Sequence, residues 1–136
     1  MHFALETDYA VRMISVLSEK TEKDAALGAA EISEAACVPK PTALKVLRIL
    51  KDRKIIRSTI GKNGGYTLAK PASEITLLEV LEALEGKIEI SRCLCDDYDC
   101  SRMGLAHKEC KFHIFYEKVN AQLCNELSKL TFEKIN

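Results

Sequence analysis

The chain of 136 residues has no tryptophan and only three prolines. The prolines are scattered, so no proline-rich tract or low-complexity segment is expected. No apolar run approaches the ~18 residues that a bilayer-crossing helix needs, and no membrane partner is expected. The opening stretch MHFALETDYAVR carries Glu6 and Asp8 where a secretory leader would be apolar. Export is therefore not expected, and the predicted compartment is the cytoplasm. An excess of one charge sign is missing too. Lys and Arg number 20 and Asp and Glu number 20, which excludes both a uniformly basic nucleic-acid coat and a strongly acidic chain. The glycine cluster GKNGG, residues 61–65, lacks the flanking context of a phosphate loop. His2, His107 and His113 stand in no recognisable catalytic arrangement. An enzyme is not expected.

Balanced charge overall conceals local segregation. Between Pro39 and Lys70 lie nine basic residues and a single acid, Asp52, a local balance of +8. From Pro71 to Glu109 the balance is −5. A solvated face is the bland reading of any charge run, but a block this one-sided favours contact with a polyanion.

Periodicity organises the chain as mainly helical. Thr7 is expected to cap a helix running to about Lys20, with Ala10, Met13, Ile14 and Leu17 facing inward. A polar connection over residues 21–28 leads to a short helix, Ala29 to Ala36, with Ile32 inward. Pro39 or Pro41 suits a first helical turn, where the missing N–H has no intrahelical partner. The next helix, Thr42 to Arg53, is expected to bury Leu44, Leu47 and Leu50 and to leave Lys45, Arg48 and Lys51 outside. Two β-rich runs follow, Ile55 to Ile60 and Tyr66 to Ala69, joined through an Asn63-Gly64 pair that favours a hairpin turn. A helix-turn-helix running into a glycine-tipped hairpin reads as a winged helix. Its second helix would enter a DNA major groove, and its wing would lie on phosphates or in the minor groove. Lys40, Pro41, Thr42, Lys45 and Arg48, with Lys62 and Asn63 on the wing, are the expected DNA contacts. Thr42 and Lys45 are the expected base readers. Thr76 and Glu79 form a capping box opening a helix over Leu77 to Leu84, which Gly86 can stop. A final helix beginning near Cys110 carries Phe112, Tyr116, Val119, Leu123, Leu127 and Leu130 as one apolar stripe. A stripe that long wants a partner helix, and a second copy of the chain would supply one. The resulting homodimer would place two reading modules on two half-sites of palindromic DNA.

Four of the six cysteines, Cys93, Cys95, Cys100 and Cys110, fall within 18 residues. In a reducing compartment, clustered thiols bind metal or sense redox state more often than they form structural disulfides. Cys93, Cys100, Cys110 and His113 form C-x6-C-x9-C-x2-H, a donor set suited to zinc or to iron in a cluster. Cys95 is an alternative to Cys93. An oxidation-prone loop without metal is the bland reading. Cys37 and Cys124 are expected to be small buried or half-buried residues.

The order of elements, with LETDYAVR at the start and GGYTLAKPASEITLLEVLEALEG after the wing, resembles the Rrf2 family of bacterial transcription regulators over nearly the whole chain. That resemblance implies a mainly α fold with a small β-hairpin: a winged helix-turn-helix with a long C-terminal dimerisation helix. It also implies a homodimer on palindromic operator DNA, whose affinity is set by an iron–sulfur cluster, 2Fe-2S or 4Fe-4S. Cys93, Cys100 and Cys110 would be the cluster cysteines. The fourth ligand would be His113, as in IscR-like members, or Asp8, where NsrR-like members supply a carboxylate from the other subunit. The chain would divide into a DNA-binding unit (1–86), a cluster loop (87–109), and a dimerisation helix and tail (110–136). The alternative is a zinc-stabilised or thiol-switched regulator, or an interaction protein, without a cluster.

Overall fold

The computed structural model describes residues 2–20 and 25–135, the Leu105 side chain excepted. Residues 21–24, half of the expected polar connection, lie outside the described residues. Helix α1 (Leu5–Lys20) buries Thr7, Ala10, Met13, Ile14 and Leu17, the apolar stripe the periodicity predicts. Its start differs from the expected one. Thr7 is not a cap but sits inside the helix, and its hydroxyl donates to Glu85 Oε1 at 2.6 Å. The same carboxylate oxygen accepts the Ala4 N–H at 2.7 Å. An acid from elsewhere in the fold thus satisfies an amide at this helix start, work that a local cap would otherwise do.

Helix α2 (Ala29–Ala35) turns inward on Ile32 and leads into α3 (Lys40–Asp52). Pro39 stands at the cap and Pro41 in the first turn, where a proline costs no hydrogen bond. The helix therefore begins two residues earlier than expected. Its buried residues are Ala43, Val46, Leu47 and Leu50. Leu44, expected inside, is 46% exposed. The true inward stripe runs i, i+3, i+4, i+7 from Ala43, and Leu44 stands one residue, roughly 100°, round from it.

Strands β1 (Ile56–Thr59) and β2 (Gly65–Leu68) pair antiparallel, Ile56 opposite Leu68 and Thr59 opposite Gly65. Five residues, 60–64, form the loop. The expected tight turn at Asn63-Gly64 is not made. Such a turn needs positive φ at its first residue, whereas positive φ falls at Gly61 (121°) and Gly65 (144°). A tertiary contact explains the shift. Leu27 and Tyr66 exchange both backbone hydrogen bonds, at 3.0 and 2.7 Å. That pairing draws Gly65 so close that a Cβ there would lie 2.5 Å from the Leu27 carbonyl oxygen. The approach to residue 27, more than turn chemistry, sets the hairpin's geometry.

Helix α4 (Leu77–Glu85) is capped by Thr76, whose hydroxyl accepts the Glu79 N–H at 3.1 Å. Only half the capping box forms, because the Glu79 carboxylate turns to Lys70 at 2.8 Å. Gly86, with φ 80°, ends the helix. Residues 87–109 carry only two short 3-10 turns, Arg92–Leu94 and Leu105–Glu109. Helix α5 (Lys111–Lys129) is about 28 Å long at 1.5 Å per residue. Asn120 pins the start of the preceding loop to it: its amide donates to the Ile88 carbonyl at 3.0 Å and its oxygen accepts the Ile90 N–H at 3.0 Å.

One element was not anticipated. After α5 the chain turns back into α6 (Phe132–Ile135). The Leu77 N–H donates to the Leu130 carbonyl at 2.8 Å and the Phe132 N–H to the Ile75 carbonyl at 3.1 Å. These bonds drive Phe132 to full burial in the core formed by α1, α3, α4 and the hairpin base. A lone aromatic in a charged tail shows no periodicity, so only the tertiary pairing reveals its role. Replacing Phe132 by Ala should lower the free energy of unfolding by about 3–5 kcal/mol, read from a denaturant midpoint. An unchanged midpoint would mean the tail does not belong to the core.

Candidate nucleic-acid interface and cysteine loop

The outer face of α3 is basic. Lys40, Pro41, Lys45, Arg48 and Lys51 are exposed and Thr42 is half-buried. All the expected readers therefore lie on the solvent side of this helix or at its flank. Lys45 is the one engaged: its Nζ lies 2.7 Å from Glu6 Oε1 on α1. Both partners are largely solvated, so the pair is weak and a phosphate can displace it. Lys62 and Asn63 are exposed in the loop 60–64, and Ile60 beside them is fully exposed. Sequence reasoning missed Leu44 on this surface. Phasing the helix from Ala43 would have found it.

In the cysteine loop, Cys93, Cys95, Cys100 and Cys110 are all free and half-buried. Cys124 is half-buried as expected, whereas Cys37, expected to be at least half-buried, is exposed. It occupies the turn between α2 and α3, with φ 54°.

The thiols are not equivalent. Cys110 stands at the N-cap of α5, where the amide N–H groups of His113 and Phe112 hold its thiol below the ordinary range. A helix N-terminus favours the thiolate in this way. Cys95 is pushed the other way by a hydrogen bond to Glu89, by burial, and by the charges of Glu89 and Asp97. Glu89 is itself paired with Lys87 at 3.0 Å. The Cys93 sulfur lies 3.3 Å from the Ser91 hydroxyl. Cys100 is bound through its backbone to Gly104. His113 is 7% exposed, and its Nδ1 is buried with no hydrogen-bond partner. His107 packs edge-on against the His113 ring at 5.2 Å, with its own Nδ1 3.0 Å from the Gly104 carbonyl. Asp8 is engaged by Arg12 of its own helix at 2.7 Å.

This donor set suits a soft metal: thiols that can ionise and an imidazole nitrogen with no partner. An orphaned buried nitrogen costs about 1–3 kcal/mol unless something satisfies it. In the arrangement described, however, no three His, Cys, Asp or Glu side chains among the described residues already converge on a point that could hold a metal ion. The chemistry fits such a group, and binding it would require the loop to close up.

Residues 4–136 match the family model described as "Rrf2: Iron-dependent Transcriptional regulator". The chain belongs to the Rrf2 family. Rrf2 proteins are transcription regulators and not enzymes. Among curated relatives, the HTH-type transcriptional regulator NsrR of Oceanobacillus iheyensis is 31% identical over 68% of this chain. The chain spans 63% of that relative's length. Among solved structures, CymR, the global cysteine regulator of B. subtilis, aligns over 99% of this chain and 95% of its own with a TM-score of 0.72 at 17% identity. T. potens IscR aligns over 99% and 85% with a TM-score of 0.74 at 18% identity. These two likenesses show the Rrf2 winged-helix fold. Among the described residues, no helix is long and apolar enough to cross a membrane.

The two perturbed thiols generate a measurable contrast. In metal-free, reduced protein near neutral pH, limiting iodoacetamide should modify Cys110 ahead of Cys95, as peptide mapping would report. The thiolate is the nucleophile, so the lowered group reacts first and the raised one lags. As pH climbs through the ordinary thiol range, Cys95 should catch up, and Glu89→Gln should bring it forward at fixed pH. Equal rates throughout would contradict the assignment.

Proposed function

We propose that this Rrf2 chain is a cytoplasmic, dimeric DNA-binding regulator whose operator affinity is set by an iron–sulfur cluster on the cysteine loop. The observation that carries the DNA reading is the outer face of α3, where Lys40, Lys45, Arg48 and Lys51 are exposed beside the wing residues Lys62 and Asn63. A helix with a cationic face and a narrow body suits a major groove. One such helix per chain calls for two chains on a palindromic duplex, with half-site centres about 34–36 Å apart or a multiple of that spacing. The unit over 1–86 reads DNA, the loop 87–109 is the sensor, and the segment 110–136 joins the two copies. On α5, Val119, Leu123 and Leu127 farther along the expected stripe are half-buried, whereas Phe112 is 66% exposed and Phe115 61%, with Tyr116 exposed on the same side. That apolar face has no partner within the described chain and supports a second copy as its occupant. Arg48→Ala should weaken operator binding and reduce the slope of log affinity against log salt by about one per half-site, because each phosphate contact releases counterions. An unchanged slope would remove α3 from the interface.

Cys93, Cys100 and Cys110 are the proposed thiolate ligands, with Cys95 the alternative to Cys93. His113, or Asp8 from the other copy, would supply the fourth. When bound, a cluster supplies a centre sensitive to redox state, nitric oxide or iron supply. The support is the family's iron-dependent description, the unpartnered Nδ1 of His113 and the readily ionised Cys110. Drawing Cys93 and Cys100 toward Cys110 would tighten the segment that Asn120 fastens to α5, and so brace α5 against the winged helix. Releasing them would shift the population away from the DNA-competent dimer.

A second reading has its own observation. The contrast between Cys110 and Cys95 would also serve a thiol switch, and the structural neighbour CymR is described as a cysteine regulator. Anaerobic reconstitution with iron and sulfide separates the readings. A cluster gives visible charge-transfer absorbance, whereas zinc and free thiols are colourless. Ala at Cys93, Cys100 or Cys110 should abolish the colour and change operator affinity together, with Cys95→Ala neutral. His113→Ala should weaken the cluster if that ring is the fourth ligand, and Asp8→Ala if the carboxylate is. A colourless protein whose affinity responds to oxidant would favour the switch.

A further inference from the structure

Leu44 interrupts the cationic face of α3. It is 46% exposed on the solvent side, whereas Val46, Leu47 and Leu50 of the same helix are fully enclosed and Ile49 is half-buried. Single exposed leucines are ordinary on protein surfaces. This one differs in its setting. Lys40 and Arg48 stand four residues before and after it, hence one turn away on the same face, and Lys51 lies a further turn along. All three are exposed, and among the described residues none of them takes part in an ion pair. The cation that is paired, Lys45, sits on the other side of the face, toward Glu6 of α1. An apolar side chain therefore projects from the middle of a set of free cations.

We propose that Leu44 is a specificity-determining residue that reads thymine methyl groups in the major groove. The inference rests on the DNA-binding reading above and deepens it. Free cations on either side would hold the helix against phosphates, which positions it without reporting sequence. The side chain held between them can neither donate nor accept a hydrogen bond. Of the groups lining the major groove, the thymine C5-methyl is the apolar one. Leu44 against a methyl removes two apolar surfaces from water. Leu44 against a guanine carbonyl or a cytosine amino group strips a polar edge of its water and returns nothing. The residue thus favours thymine and disfavours G·C pairs at one position of each half-site.

The test isolates the methyl. The full chain, reconstituted anaerobically, selects a duplex from a random-sequence pool. Each symmetric pair of thymines in the selected duplex is then replaced by deoxyuridine, which lacks only the methyl. One pair should lower the affinity of the unaltered protein about 15-fold, roughly four-fold per half-site for one apolar carbon buried. Leu44→Ala should bind the parent duplex more weakly by a similar factor and should no longer distinguish thymine from deoxyuridine at that pair. If the unaltered protein is indifferent to deoxyuridine at every position, or if Leu44→Ala keeps the full response, the proposal is overturned. The deoxyuridine scan on unaltered protein decides the matter even if the variant misfolds. If no duplex is selected at all, the DNA-binding reading itself fails, an outcome distinct from selection without a methyl effect.

Discussion

Burial of one face of α1 is the constraint on which the rest of the structure depends. Helices α2, α3, α4 and α6 and strand β2 all pack against it, and Ala10, Met13, Ile14 and Leu17 are wholly enclosed. Each enclosed large side chain is worth about 1.5–3 kcal/mol relative to exposure, so this stripe supplies a large share of a small domain's stability. The Glu85 carboxylate then locates the helix along its axis by accepting from both Ala4 and Thr7. Because Glu85 closes α4 and the cysteine loop begins two residues later, the N-terminus and the loop meet through one side chain. On its other side, α1 touches the reading helix through Glu6 and Lys45. Loop, α4, α1 and α3 are therefore connected by named contacts.

Neutral overall charge is compatible with a polyanion partner because the chain spends its two signs in different places. The nine cations between Pro39 and Lys70 are mounted on α3, the hairpin and the connections around them. The acids gather on α4 and the cysteine loop. Glu79 of α4 does reach the block, but it pairs with Lys70 at its end, and among the described residues Lys40, Arg48 and Lys51 on α3 take part in no ion pair. The same acids act locally where they touch thiols. Glu89 pushes the Cys95 thiol above its ordinary range, while Cys110, served by helix amides instead of carboxylates, is held below it. Two cysteines with identical chemistry are given different reactivity by what stands beside them.

The loop and α5 show how far local chemistry carries and where it stops. The cysteine spacing and the position of His113 mark a donor set without any structure. Burial of the His113 ring with an orphaned Nδ1, the edge-on support from His107 and the grip of Asn120 on residues 88 and 90 involve partners far apart in sequence or set by loop conformation. No spacing rule announces them.

By itself the sequence determined the helical stripe of α1, the Thr76-capped start of α4, the proline-opened α3, the hairpin, the long final helix, the basic block and the thiol cluster. Each of these follows from a local period or a local composition, which depends on neighbours a few residues apart. The family resemblance, carried by motifs at both ends of the winged helix, was visible for the same reason. Only the tertiary structure decided that Thr7 bonds Glu85 instead of capping its helix and that Gly65 is pressed against Leu27 in place of a tight turn at Asn63-Gly64. It also decided that Phe132 returns to the core. In every such case a partner distant along the chain outcompetes the local preference. Turn and cap preferences are worth about a kilocalorie per mole, whereas enclosing an aromatic ring is worth several times that.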